Sequence, residues 1–234
     1  MKRINRKLWL CCLLIVLGIG IALYPVVCRN HQQRRQQELI RLFLQGKTPP
    51  EELLQGKELL GVLWIPKADC RLPIFRGTEE AVLEVGAGLL EGSSEIGNED
   101  GRHTVLCGHS GLPRVYAFDR IDALEKGDHI YVVSQGIILV YTVIQQLTVL
   151  PEEVHLQLQP SQFANKITLL TCTPYGINTH RLLVQAELSR SYGGSVLPEK
   201  GNKGYEKNDQ MDHEDRLSAS GPVGRRQQSA VAGS

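Results

Sequence analysis

The chain has 234 residues, of which 42% are hydrophobic, so it is long enough for one medium-sized domain with a buried core and some appended segments. Its 26 Lys and Arg residues balance its 25 Asp and Glu residues, and the formal net charge is +1. This balance offers no electrostatic argument for a nucleic-acid partner, and the length leaves little room for a second full-sized domain.

An uncharged apolar stretch covers residues 8–27, LWLCCLLIVLGIGIALYPVV, and is about long enough to cross a ~30 Å hydrocarbon core. We predict that residues 1–28 form a cytoplasmic tail and an uncleaved single-pass transmembrane helix, with the following domain outside the cytoplasm. A cleaved signal peptide is the alternative, although the stretch exceeds the usual ~7–15 apolar residues and no A-x-A-like site follows it.

Residues 29–58 are predicted to be a juxtamembrane linker, in which an amphipathic patch at 38–44 forms a short helix before a Thr-Pro-Pro break. We interpret this segment as a spacer that lifts the domain off the bilayer. At the other end of the chain, residues 189–234 are rich in Gly, Ser and charged residues without apolar periodicity, and we predict a disordered tail.

Between these segments, residues 59–188 consist of short β-prone runs separated by Gly, Pro, Asn and Asp. Many strands and few helices favour a mainly β fold, a closed or nearly closed β-barrel. Two short helices are predicted, at 79–85 with Thr78 as its cap and at 115–124. The candidate strands are 60–65, 72–75, 103–107, 129–134, 137–148, 166–172 and 180–187.

Three of the six cysteines, Cys70, Cys107 and Cys172, lie in the predicted domain, so at least one of them is not paired within it. We expect no cofactor and no metal site, because no C-x-x-C motif or Cys/His cluster at zinc spacing occurs. Cys172 ends one β-prone run, and the pair His180 and Arg181 opens the next.

A nucleophilic cysteine needs a base, a nearby positive charge, or both. Successive strand residues point to opposite faces, so His180 shares the more apolar face with Leu182, and Arg181 is the better neighbour for Cys172. Arginine can stabilise a developing oxyanion but cannot act as a base. A buried structural cysteine is the alternative interpretation of Cys172.

The base must then come from elsewhere in the chain. We favour His109, which follows a β-prone run and lies between Gly108 and Gly111, where the backbone can approach closely. Cys107 is a second possible nucleophilic thiol. The remaining candidate bases are in sequence contexts typical of ordinary surface or half-buried histidines. Those other histidines are His103, His129 and His155.

At these residues the chain resembles a known family. The stretch TLLTCTPYGINTHRLLV, together with GHSGLP, is similar to the motifs of sortases, and within them to those of the class C, pilin-polymerising type. The resemblance runs from about residue 59 to residue 188, and the motif around Cys172 is long and specific. It departs from that class at Ser110, where the class usually has Arg, and at Gln185-Ala186 instead of Arg-Gly.

The resemblance implies an eight-stranded sortase-type β-barrel on the outer face of a Gram-positive cell membrane, with His109, Cys172 and Arg181 as its catalytic residues. It further implies that Cys172 cleaves an LPXTG-like sorting signal between Thr and Gly through a thioacyl enzyme. The acyl group then passes to an amine, either a pilin lysine or a cell-wall precursor. The expected substrate-binding residues are Thr171, Thr173, Pro174 and Tyr175.

Two alternatives stay open beside this cysteine transpeptidase. The first is a thiol protease that hydrolyses the same substrate. The second is a catalytically silent, anchored barrel that binds sorting-signal proteins or pilus components.

Overall fold

The structure is a computed structural model, and it describes residues 6–110, 117–159 and 164–194. The described α-helices are α1 (Arg6–Leu44), α2 (Glu51–Leu54), α3 (Glu80–Leu83) and α4 (Val154–Gln157). The strands are β1 (Leu59–Ile65), β2 (Cys70–Arg76), β3 (Ala87–Leu89), β4 (His103–Cys107), β5 (His129–Ser134), β6 (Ile137–Val149), β7 (Lys166–Thr173) and β8 (His180–Gly193).

The strands close into a barrel in the order β1-β2-β3-β4-β7-β8-β6-β5, with β5 pairing back onto β1. Most neighbours are antiparallel, but β2 with β3 and β4 with β7 are parallel pairs. Apolar side chains from all eight strands fill the interior, including Leu106, Ile167, Leu169 and Val184. The predicted closed barrel of eight strands is confirmed.

Two local predictions differ from the structure. The predicted helix at 79–85 shortens to α3, and its N-cap is Glu79 without a side-chain cap bond, so Thr78 does not cap it. The predicted helix at 115–124 contains only a 3₁₀ turn at Ile121–Ala123 in its described part, and residues 111–116 lie outside the described residues.

The predicted start of the tail at residue 189 is too early. Strand β8 continues to Gly193, which pairs with Ile137, because the 13-residue strand β6 offers it a partner along that length. Residues 195–234 of the predicted tail lie outside the described residues.

The end of α1 does not form a free linker, because its last turns pack against the barrel; the role of residues 29–58 as a spacer from the bilayer stays a prediction. Leu39 is 0% exposed and packs with Phe75 and Val85, and Ile40 joins a second cluster with Val62 and Trp64. The physical cause is an apolar stripe at helical spacing, which is stable in water only when it is covered.

Polar contacts fasten the same part of α1. Gln36, 5% exposed, donates from Nε2 to the carbonyl oxygen of Val85 at 2.9 Å, and Gln32 donates to the carbonyl of Glu84. Arg35 donates to the carbonyl of Leu53 from both Nε and Nη2, at 3.1 and 2.6 Å. The end of α1 is therefore part of the folded domain.

Within the described residues, no helix combines the length and the apolar character that crossing a membrane requires. The predicted single-pass span at residues 8–27 is not confirmed by this finding.

The docking of α1 generates the first testable prediction. Leu39→Ala should lower the free energy of unfolding by about 2–5 kcal/mol, because it removes a fully buried side chain and leaves a cavity. Leu156→Ala is the matched control, since Leu156 is 59% exposed, and we expect a change within about 0.5 kcal/mol. Urea unfolding followed by tryptophan fluorescence measures both, and equal effects would contradict the docking of α1.

Candidate active site

The register of β7 and β8 decides which side chain faces Cys172. Cys172 lies directly opposite Arg181, and Thr173 lies opposite His180. Directly opposed residues of antiparallel strands present their side chains on the same face. Leu182 and Val184 belong to the barrel core, so the face of β8 that carries Arg181 is the outer one. The structure thus brings Cys172 and Arg181 together, as the alternation of strand side chains predicts.

The parallel pairing of β4 and β7 brings His109 to the same place. Cys107 on β4 is paired with Leu170 on β7. His109 follows Cys107 by two residues, and Cys172 follows Leu170 by two residues. Parallel neighbours advance together, so both residues emerge at the same end of the pair. His109, Cys172 and Arg181 therefore lie at one end of three adjacent strands.

Gly108 allows the chain to reach this position. A Cβ atom at Gly108 would lie 2.8 Å from the ring of Phe118, closer than real Cβ contacts allow. The Phe118 N–H donates to the carbonyl oxygen of His109 at 2.8 Å, which holds the two backbones together. The predicted close approach at this glycine is confirmed, whereas Gly111 lies outside the described residues.

The ring of His109 has an acidic neighbour that the sequence analysis did not single out. Its Nε2 lies 3.4 Å from Oε1 of Glu80, on the short helix α3. This nitrogen is shielded from solvent and makes no hydrogen bond with any residue in the described ranges. The ring and the carboxylate are therefore close neighbours that form no hydrogen bond with each other.

Arg181 is held by main-chain carbonyls. Its Nη1 donates to the oxygens of Asn178 at 3.0 Å and of His180 at 3.1 Å. These bonds use one nitrogen of the guanidinium group and fix the direction of the side chain at the start of β8. The planar fork has further donors, and none of them bonds to a residue in the described ranges.

The other two cysteines of the domain differ from Cys172 in their surroundings. Burial raises the pKa of the Cys70 thiol to about 12, and that thiol donates to the carbonyl of Ala117 at 3.2 Å. Burial, together with the neighbouring Cys172, raises the pKa of Cys107 to about 12. Both groups are thiols at neutral pH, which leaves Cys172 as the nucleophile candidate of the domain.

The other candidate histidines lie elsewhere. His103 is 3% exposed at the opposite end of β4, and its burial lowers its pKa. Its Nδ1 lies 3.1 Å from the carbonyl oxygen of Gln159, and its Nε2 lies 2.7 Å from the Thr168 hydroxyl, so both nitrogens have partners. His129 begins β5, which is not adjacent to β7, and His155 is exposed on α4.

The predicted substrate-binding residues divide into two groups. Thr171 is 4% exposed and donates its hydroxyl to the carbonyl of Gly108 at 2.7 Å, so its side chain does not face a substrate. Residue 171 alternates with Cys172 and points inward with Leu169, and its role in substrate binding stays a prediction. Thr173 is half-buried, and Pro174 and Tyr175 are exposed on the loop between β7 and β8.

That loop also carries Ile177, which is not one of the four expected substrate-binding residues. Ile177 is 68% exposed and Tyr175 is 70% exposed, two residues apart on the same loop. The signal was present in the sequence, since large apolar side chains in a polar turn next to a site are typical of binding loops. For metal binding, no group of three His, Cys, Asp or Glu side chains suited to an ion occurs in the described part of the chain.

Comparison with known proteins gives the family. The model of the sortase domain matches residues 63–189, more than half of the chain. The chain belongs to the sortase family. Members of this family are cysteine transpeptidases of the cell surface, associated with the membrane.

Individual sortases are similar over most of the barrel. Sortase A of Streptococcus agalactiae serotype III is 28% identical over 153 residues, covering 64% of this chain and 60% of that protein. The chain therefore spans about three fifths of the length of this curated relative. The crystal structure of sortase C-1 from Actinomyces oris is 39% identical with a TM-score of 0.56, covering 58% of this chain and 77% of that one.

A further sortase structure has the same degree of structural similarity. Sortase C of Streptococcus pneumoniae is 33% identical with a TM-score of 0.56, covering 72% of this chain and 92% of that one. The similarity to class C sortases that the motifs indicate is thus confirmed over the matched part of the chain.

The raised pKa values generate a prediction about thiol reactivity. In the folded sortase at pH 7.5, iodoacetamide should modify Cys172 and leave Cys70 and Cys107 unmodified. With a pKa of about 12, roughly one buried thiol in 10⁴ or fewer is ionised at that pH, and burial blocks access as well. Peptide mass mapping measures the sites of modification.

The unfolded protein in urea is the control, because there Cys70 and Cys107 regain ordinary pKa values and become accessible, so that they should react like Cys172. At pH 9 as well, reaction at Cys107 should remain far slower in the folded protein than in the unfolded one. Modification of Cys107 as fast as Cys172 in the folded state would contradict the assignment.

Proposed function

We propose that this sortase is a cysteine transpeptidase that uses Cys172 as nucleophile, His109 as general acid and base, and Arg181 as the donor to the oxyanion. The observation that carries the proposal is the register that sets Cys172 opposite Arg181, with His109 at the same end of the adjacent strand. The three side chains supply the nucleophile, the proton carrier and the positive charge that acyl transfer requires.

In the first step, the Cys172 thiolate attacks the Thr carbonyl carbon of the Thr–Gly bond in an LPXTG-like sorting signal. A carbon–sulphur bond forms and the carbonyl electrons move onto the oxygen, where the guanidinium of Arg181 stabilises the negative charge. Protonated His109 gives its proton to the departing Gly nitrogen, the carbon–nitrogen bond breaks, and a thioacyl enzyme remains.

In the second step, an amine attacks the thioester carbon. Neutral His109 takes a proton from the amine, the amide bond forms, and the Cys172 thiolate leaves. Imidazole is suited to both steps because it changes charge near neutral pH, whereas arginine stays protonated throughout and acts only as a donor.

For the substrate, we propose a protein with an LPXTG-like signal whose apolar residues contact the loop between β7 and β8. The exposed side chains Tyr175 and Ile177 offer an apolar surface there, next to Pro174 and Thr173. As acceptor we propose a pilin lysine or a cell-wall precursor amine. The similarity to sortase C of Streptococcus pneumoniae, whose structure bears on pilin substrate specificity, supports the pilin acceptor.

We also propose that the first half of α1 anchors the enzyme in the membrane as a single pass, with the barrel outside the cytoplasm. Many of its large apolar side chains are exposed, among them Trp9 at 61% and Val16 at 69%. Such a continuous apolar surface is unfavourable in water and is typical of segments that contact lipid.

Product analysis tests the transpeptidase against a hydrolase. With a sorting-signal peptide and an amine, wild type should yield the amide-joined product, and Cys172→Ala should lower that rate by at least ~10³-fold because the thioester cannot form. Cys107→Ala is the matched control, another thiol of the same region, and should stay within about threefold of wild type. Mass spectrometry of the products measures the outcome.

The result also separates the alternatives. Cleavage without amide product at saturating amine would indicate a thiol protease. Peptide binding that is unchanged by alkylation of Cys172, with no cleavage at all, would indicate a silent binding barrel and contradict the proposed function.

Extraction experiments test the membrane anchor. Wild type should stay in the membrane pellet after alkaline carbonate treatment, and the double variant Leu14→Arg, Leu17→Arg should shift toward the soluble fraction. Each arginine near the centre of a bilayer costs about 2.5–3.5 kcal/mol on the insertion scale. Gln37→Arg, at an exposed position near the barrel, is the matched control and should stay with the membrane.

A wild-type protein found mainly in the soluble fraction would contradict the anchor. A mature protein whose intact mass lacks the first residues would instead support the cleaved signal peptide.

A further inference from the structure

Two side-chain hydrogen bonds connect the chain around His109 with the chain around Cys172. The Ser110 hydroxyl donates to the main-chain oxygen of Cys172 at 2.6 Å. In the opposite direction, the Thr171 hydroxyl donates to the oxygen of Gly108 at 2.7 Å. Each bond starts beside one proposed catalytic residue and ends at or beside the other.

The hydrogen bond from Ser110 lies where the next main-chain bond between β4 and β7 would be in a regular sheet. The last main-chain bond between the ends of β4 and β7 runs from the Gly108 N–H to the Leu170 oxygen at 3.1 Å. The next oxygen on the same side of β7 belongs to Cys172, and a regular parallel ladder would satisfy it with the N–H of Ser110. In this structure the hydroxyl of Ser110 makes the bond instead.

This exchange allows the chain after His109 to leave the sheet while the Cys172 carbonyl keeps a partner. A half-buried carbonyl without a partner would be unfavourable, and the adjoining peptide unit would be free to turn. That peptide unit sets the direction of the Cys172 side chain. The hydroxyl of Ser110 therefore fixes the sulphur relative to the ring of the preceding residue, His109.

We propose that Ser110 is a positioning residue, which holds the Cys172 nucleophile in register with His109 and Arg181. The proposal rests on the proposed transpeptidase function. It also gives a physical meaning to a departure from the class C pattern, because the arginine usual at this position has no hydroxyl and cannot make the same short bond.

Two variants of Ser110 test the positioning role. Ser110→Ala should lower kcat by about 10–100-fold and change KM for a sorting-signal peptide by less than about threefold, since it misplaces the reacting atom without removing a substrate contact. Ser110→Thr retains a hydroxyl and should restore most of kcat. Steady-state kinetics of the full-length enzyme with an added amine measures both constants.

The chain offers a matched control in Ser134. Its hydroxyl donates to the oxygen of Leu60 at 2.7 Å, again from a side chain to the main chain of a neighbouring strand, but between β5 and β1. Ser134→Ala should have a comparable effect on thermal stability and leave kcat within about threefold of wild type. A kcat for Ser110→Ala no lower than that of Ser134→Ala would overturn the proposal.

Hydrogen–deuterium exchange gives a readout that does not depend on turnover. Ser110→Ala should speed amide exchange in peptides covering residues 171–175, and Ser134→Ala should not. If wild type forms no amide product, the proposed function fails, and exchange alone then decides whether Ser110 holds the end of β7. Unchanged exchange in Ser110→Ala would overturn the positioning role even in an active enzyme.

Discussion

The antiparallel pairing of β7 with β8 is the constraint on which the site depends. Its register sets Cys172 opposite Arg181. A shift by one residue would set Cys172 opposite His180 or Leu182 instead, and it would turn the side chains of one strand to the wrong face. The barrel core opposes such a shift, because the alternate residues Leu182 and Val184 are buried in it. The apolar core thus fixes which residues face each other on the outer side of the barrel.

The parallel pairing of β4 with β7 adds the histidine to this arrangement. Parallel strands that end together place the following residues side by side, and here these are His109 and Cys172. The ladder itself stops at Gly108, so the geometry beyond it relies on the hydroxyls of Thr171 and Ser110. Beyond the end of the ladder, hydrogen bonds from these two small polar side chains connect the two segments.

Much of this could be predicted from the sequence, because the alternation of strand side chains is a local rule. It selected Arg181 over His180, and the same rule applied to residue 171 would have placed Thr171 inside. Features that depend on distant partners could not be predicted. Strand β3 has only three residues, Ala-Gly-Leu, without a pattern of its own, and the docking of α1 depends on Phe75 and Val85, far away in the sequence.

The most direct measurement of the central claim is a crystal structure of the enzyme trapped with a sorting-signal peptide analogue that forms a stable bond to the reactive cysteine. The account predicts a covalent bond to the sulphur of Cys172. It also predicts the oxygen that stands for the oxyanion within about 3 Å of a guanidinium nitrogen of Arg181, with His109 on the leaving-group side. A bond to Cys107, or an oxygen directed away from Arg181, would contradict it.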